Sequence, residues 1–220
     1  MDILVGHEES QAVTIELRKL GHEAYSCDLK PCSGGHPEWH LQMDVFKAIS
    51  LKKWDMGIFF PDCTYLTCSA EWAYKDPDFE RYPGVGYHQK VKMETLTGIN
   101  RRISRVEALL HVIKLWDSEI PKISIENPVG VLSRWRKPSQ KIQPYMFGDD
   151  ASKGTCLWLK NLPNLVSSNY IEPRIVDGKP RWSNQTDSGQ NKLGPSDNRA
   201  ELRSKTYHGI ATAMANQWTK

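Results

Sequence analysis

The sequence predicts an α/β protein with a doubly wound, mostly parallel sheet, and three observations predict it. Short apolar runs alternate with helical patterns from Asp2 to Asn127, three of those runs end at a carboxylic side chain, and the 220 residues suffice for one core. "DILVG" (Asp2 to Gly6) is the first strand. In "SQAVTIELRKLG", Val13, Leu17 and Leu20 fall at helical spacing and Gly21 is the stop signal. "HEAYSCD" (His22 to Asp28) and "HLQMD" (His40 to Asp44) are strands ending on an acid, separated by a Gly/Pro-rich loop. After a short helix comes "MGIFF", then a proline and Cys63. The stretch from Ala73 to Asn100 is polar and without period, with the composition of a lid. From Arg102 to Trp116, the residues Ile103, Val106, Leu109, Leu110 and Ile113 make one apolar helix face, expected to be the buried one. "KISIEN" (Lys122 to Asn127) is a further strand. Residues 1–220 read as a single domain, with 134–200 as a small, loop-rich insert before a C-terminal helix.

Charge and cysteines narrow the classes. A net charge of +3 from 29 basic and 26 acidic residues creates no global field for a polyanion, so nucleic acid would be met by local clusters. No stretch approaches a membrane span and the amino terminus lacks the signal-peptide pattern, so a cytoplasmic protein without membrane contact is expected. Five cysteines without a secretory signal are expected to be free thiols. Cys27, Cys32, His36 and His40 do not match a familiar zinc finger and Cys27 lies within a strand, so no metal site is expected.

In a doubly wound sheet, ligands bind beyond the carboxyl ends of the strands. Asp28, Asp44, Cys63 and Glu126 all fall there and should line one rim. Singly, each has a bland reading: a packing thiol, a helix cap or a turn acid. Together they describe a site in which a thiol at a strand-to-loop junction meets a carboxyl able to move a proton.

The order and spacing of "PDCTYL" and "ENP" resemble the nucleophile and proton-donor motifs of the DNA cytosine-5 methyltransferases. The resemblance is to the compact members found in bacterial viruses. It extends loosely over most of the chain and implies a Rossmann-like sheet of the S-adenosylmethionine-dependent methyltransferase type. It assigns catalysis to Cys63, Glu126 and Asn127. S-adenosylmethionine would be held by Gly6, Glu8, Asp28, Asp44 and Pro61, and by Tyr207 and Gly209 of "SKTYHGIATAMANQW", which looks like the last motif of the family. Arg134, Arg136, Lys137 and Lys153, interleaved with aromatic residues, would contact DNA, and the polar loop "SNQTDSGQNKLGPSDN" would be a mobile groove reader. Two departures stand beside these matches. Asp62 occupies the place of a second proline and disfavours the thiolate, and the first turn has Gly6 but Glu8 two residues on. The alternatives are an inactive methyltransferase-fold protein that binds nucleic acid or a protein partner, and a methyltransferase acting on RNA or a free nucleotide.

Overall fold

Parallel pairing of apolar runs sets the architecture of the computed structural model, which describes residues 1–68, 71–75, 96–194 and 205–220. Strands β1 (Asp2–Gly6), β2 (Glu23–Asp28), β3 (His40–Gln42), β4 (Met56–Phe59) and β5 (Lys122–Pro128) are parallel neighbours. With β6 (Gln140–Ile142) and β7 (Thr155–Lys160) they form a seven-stranded sheet in the order β3-β2-β1-β4-β5-β7-β6, in which β7 runs antiparallel to both its neighbours. This is the Rossmann-like, mostly parallel sheet that the sequence predicts.

Alternate side chains of the strands feed two separate cores, because successive residues of a strand face opposite sides. Ile3, Val5, Met56, Ile58 and Leu157 pack under helices α1 (Ala12–Lys19) and, at the carboxyl terminus, α5 (His208–Trp218). Leu4, Phe59, Ile123, Ile125 and Trp158 face helices α2 (Val45–Ser50) and α3 (Gly98–Trp116). Gly6 lets the two layers close at the rim, since a Cβ there would lie 2.6 Å from the Phe59 ring. No helix among the described residues is long and apolar enough to cross a membrane.

Three expectations change. Helix α3 is turned the other way: Ile103, Val106 and Leu110 face solvent, Leu109 and Ile113 are half-buried, and Gly98, Arg101, Val112 and Leu115 pack inward. Leu20, expected on the inner face of α1, is exposed past its end. The third strand ends at Gln42, so that Asp44 begins α2 instead of closing β3. Within residues 134–200, a four-residue helix α4 (Leu132–Trp135) is followed by β6 and β7 of the main sheet, while β8 (Arg174–Val176) and β9 (Lys179–Arg181) pair as a hairpin apart from it. The supposed lid falls largely on residues 76–95, outside the described residues.

Candidate active site

Strand β4 ends at Phe59, and Phe60 donates its N–H to the Gly6 carbonyl at 3.0 Å before the chain turns at Pro61. Cys63 sits at the start of a tight turn, its carbonyl accepting the N–H groups of Leu66 at 2.9 Å and Thr67 at 3.1 Å. Asp62 is exposed and spends Oδ1 on Thr64, accepting from its N–H at 2.8 Å and its hydroxyl at 2.7 Å.

This turn is fastened from two sides. From the end of β5, the buried Asn127 donates Nδ2–H to the Pro61 carbonyl at 3.0 Å, and Val131 donates its N–H to the Leu66 carbonyl at 2.8 Å. Gly130 is forced between them, since a Cβ there would lie 2.0 Å from the Leu66 oxygen. From α3, Arg105 donates to the carbonyls of Tyr65 at 2.9 Å and Thr67 at 3.3 Å, pairs with Glu71 at 2.8 Å and lies 3.4 Å from the Tyr74 ring centre. Arg102 holds the Tyr74 carbonyl at 2.8 Å, and the buried Arg101 lies over the rings of Tyr65 and Tyr74. Asn127 thus acts through the Pro61 carbonyl, and the arginines, which sequence reasoning missed, position the thiol loop. Their i, i+4 spacing in "RRISR", next to a long loop, was the available signal.

The thiol and the carboxyl meet electrostatically. Burial pushes the Cys63 thiol up, Asp62 and Glu126 push it further, and Lys153 opposes them. Burial likewise raises Glu126, opposed by the Lys153 charge and a hydrogen bond from the Thr155 hydroxyl. Glu126, Lys153 and Tyr207 line a cleft whose apolar walls are Phe60, Ile210 and Met214, with Cys63 outside that lining. Tyr207 opens α5, its phenol raised by burial and by Asp149 and held by Asn184. Gly209 is needed for packing: a Cβ would lie 1.9 Å from the Phe147 carbonyl oxygen, and its N–H reaches Asp149 at 2.9 Å.

Around the ends of β1 and β2, the expected cofactor residues divide. Asp28 is half-buried, with one oxygen on the Lys30 N–H at 2.9 Å. Asp44 caps α2, Oδ1 accepting from Phe46 and Lys47 at 3.0 and 3.2 Å. Glu8, expected to help hold the cofactor, turns its carboxylate back onto the chain. His7 and Gln11 adopt left-handed φ angles of 60° and 58°, and the turn between them folds the Glu8 carboxylate onto the start of α1. It accepts from Val13 N–H at 2.6 Å, Thr14 N–H at 3.2 Å and the Thr14 hydroxyl at 2.7 Å, and is only 3% exposed. Burial raises its pKa to about 7. Beside it His7 contacts His111 at 2.9 Å, is pushed down to about 4 by burial and by His111, and leaves a buried Nδ1 with no partner among the described residues.

The four basic residues also divide. Lys153 is in the cleft, and Arg134 is exposed on α4 with its charge felt by Glu71 below the thiol loop. Arg136 lies over Trp116, at 4.6 Å, and Trp135, at the end of α3 that leads into the amino end of β5, and Lys137 follows it on the surface. The polar loop is pinned over its described part: Asn184 exchanges hydrogen bonds with the Ser152 backbone, and Arg174 and Arg181 both hold Asp187. Its remainder, 195–198, lies outside the described residues. Among the described residues no group of three or more His, Cys, Asp or Glu side chains is arranged to hold a metal ion.

No family model matches the chain, and no curated protein sequence matches it. Two of the solved structures similar to it are rRNA methylases. An rRNA methylase from Escherichia coli matches with a TM-score of 0.33 and 11% identity, over 72% of this chain and 55% of that one. The 16S rRNA methylase RmtB matches with a TM-score of 0.31 and 14% identity, over 72% and 54%. The chain thus overlaps little more than half the length of either.

Proposed function

We propose that the chain is an S-adenosylmethionine-dependent methyltransferase acting on carbon 5 of cytosine in DNA, through a covalent bond to Cys63 assisted by Glu126. The observation that carries this reading is that the charges of Glu126 and Lys153 both reach the Cys63 thiol, while Lys153 also acts on Glu126. Burial raises the Glu126 carboxyl, so it holds a proton to higher pH than an exposed acid, which suits it to donate to ring N3. Once protonated it also ceases to repel the thiolate, while Lys153 still attracts it.

The chemistry follows from these groups. The Cys63 thiol gives its proton to water and the thiolate adds to carbon 6, the electron pair of the 5,6 double bond making the ring an enamine as the Glu126 proton passes to N3. Carbon 5 would then take a methyl group. Loss of the carbon 5 proton to water, cleavage of the C–S bond and return of the N3 proton restore the aromatic ring and the carboxyl, and the released thiolate takes a proton back from water. The target base must first leave the helix stack, at a cost of a few kcal/mol.

S-adenosylmethionine would supply the methyl group from its sulfonium centre. Asp28 suits the ribose hydroxyls, and the unpaired His7 Nδ1 beside the first turn is a polar atom awaiting a partner. Glu8 already fills the start of α1, so the carboxylate of the cofactor must find donors elsewhere. Arg134 and Lys153 are the proposed phosphate contacts, and the loop-rich segment with β8 and β9 the proposed recognition element.

Asp62 and Glu8 favour a second reading, a fold of this type with little catalysis that grips nucleic acid or a protein partner. Purified protein is incubated with labelled S-adenosylmethionine and DNA, RNA or free cytidine nucleotides. Label in DNA, lost in Cys63→Ser with cofactor binding retained, supports the proposal. An oligonucleotide bearing 5-fluorocytosine, whose carbon 5 cannot release fluorine as a cation, should trap the adduct. Label in RNA or nucleotides alone, or activity surviving in Cys63→Ser, would overturn it.

A further inference from the structure

The solvent face of α3 carries a continuous apolar stripe. Ile99, Ile103, Val106 and Leu110 are 56%, 49%, 54% and 59% exposed, and the half-buried Ile113 continues the line. Their spacing alternates four and three residues, the repeat of a two-helix seam, and it lies opposite the inward-facing Arg101, Val112 and Leu115. Scattered exposed aliphatics are ordinary, but a row of them in seam register on one helix calls for a partner.

The flanking charges select that partner. With Ile103 and Leu110 at a positions and Ile99, Val106 and Ile113 at d positions, Arg102 falls at g and Glu107 at the following e. In a parallel, in-register pair these are the positions that face each other across the seam. An antiparallel pair centred on the stripe would instead bring Glu107 beside its own copy. The stripe is therefore complementary to itself in one orientation.

We infer that the protein forms a two-fold dimer by parallel packing of α3 on α3 of a second copy, with Ile99, Ile103, Val106, Leu110 and Ile113 in the seam and Arg102–Glu107 pairs on both sides. Arg102 keeps Nη1 on the Tyr74 carbonyl in either state. Helix α3 leads from the β4 side of the rim down to the amino end of β5, so a two-fold axis along it turns both Cys63 loops toward the same side. The dimer is independent of the catalytic reading.

Sedimentation of the full chain should give twice its 25.2 kDa mass. Val106→Glu and Leu110→Lys, on a solvent face, should give monomers with unchanged circular dichroism. Glu107→Arg should raise the dimer dissociation constant by about tenfold, the effect of two modest ion pairs turned repulsive, and Arg102→Glu combined with it should restore dimerisation. Oxidation should link Ile103→Cys chains to each other, because the parallel register brings position 103 to its own copy, whereas an antiparallel pair centred on the stripe would set it against Leu109; Ser104→Cys, off the seam, should not link. A wild-type monomer at every concentration, or a dimer unaffected by the stripe substitutions, would overturn the inference. A dimer that fails both the charge swap and the Ile103 link would overturn its parallel register.

Discussion

The half-buried Cys63 thiol and the buried Glu8 carboxyl are both raised by their surroundings, and each makes its own prediction. Cys63 is raised by its surroundings, so near neutral pH it is mostly thiol and its reactivity should climb with pH. Alkylation rates measured against pH should give a midpoint that moves down in Asp62→Asn, which removes a repelling charge. In Lys153→Gln, which removes a cation that favours the thiolate, the midpoint should move up. A midpoint indifferent to both changes would separate Cys63 from the cleft. Glu8 predicts a stability effect. Its folded pKa of about 7 lies above the ordinary 4.5, so the folded state holds a proton that the unfolded state releases between those values. Stability must therefore fall as pH rises through that window, by an amount of the order of 3 kcal/mol at most. Thermal unfolding of Glu8→Gln between pH 5 and 8 should lose much of that slope; an unaltered slope would assign the pH dependence to another group.

At the scale of elements, the Cys63 turn is an assembly of three distant segments. Gly130→Ala pushes a methyl group onto the Leu66 carbonyl, a backbone atom that cannot swing away. It should cost about 2 kcal/mol in denaturant unfolding and lower Cys63 alkylation selectivity, whereas Gly21→Ala, with open space around it, should leave the thiol loop untouched. Arg105→Lys keeps the charge but loses the planar fork that spans two carbonyls and Glu71. Amide exchange should then quicken in 64–68 and 71–74 and stay unchanged in β1. Much of this architecture was legible. Strands with acids or a thiol at their ends stand out because a buried parallel strand is a short apolar run, and the rule about carboxyl ends then gathers Asp28, Cys63 and Glu126 on one rim. The face of α3 was not legible, because its apolar period belongs to the solvent side while arginines take the inner side. What buries Arg101 and engages Arg105 is a loop more than thirty residues upstream, which no local pattern encodes. The fold of the Glu8 turn was not legible for a similar reason: the two left-handed residues that bring its carboxylate onto α1 are neither glycine nor asparagine.

Across the whole molecule, the sheet separates what the sequence runs together. Arg134, Arg136 and Lys137 are consecutive basic residues on paper, yet Arg134 stands by the thiol loop, within the field of Glu71, while Arg136 lies over the Trp116 ring at the end of α3 that leads into the amino end of β5. A nucleic acid whose base enters the cleft would pass Lys153 and Arg134 and miss Arg136. Each phosphate neutralised on duplex DNA steepens the fall of log affinity with log salt by about 0.9. Binding isotherms of a duplex measured over a salt series should therefore show a slope shallower by about 1 in Arg134→Ala and in Lys153→Gln. In Arg136→Ala the slope should equal that of the wild type, although unfolding should come earlier because the stack on Trp116 is lost. The reverse pattern, with Arg136 carrying the salt dependence and Arg134 silent, would move the nucleic-acid track to the far end of the sheet, where neither Cys63 nor Glu126 could reach a base.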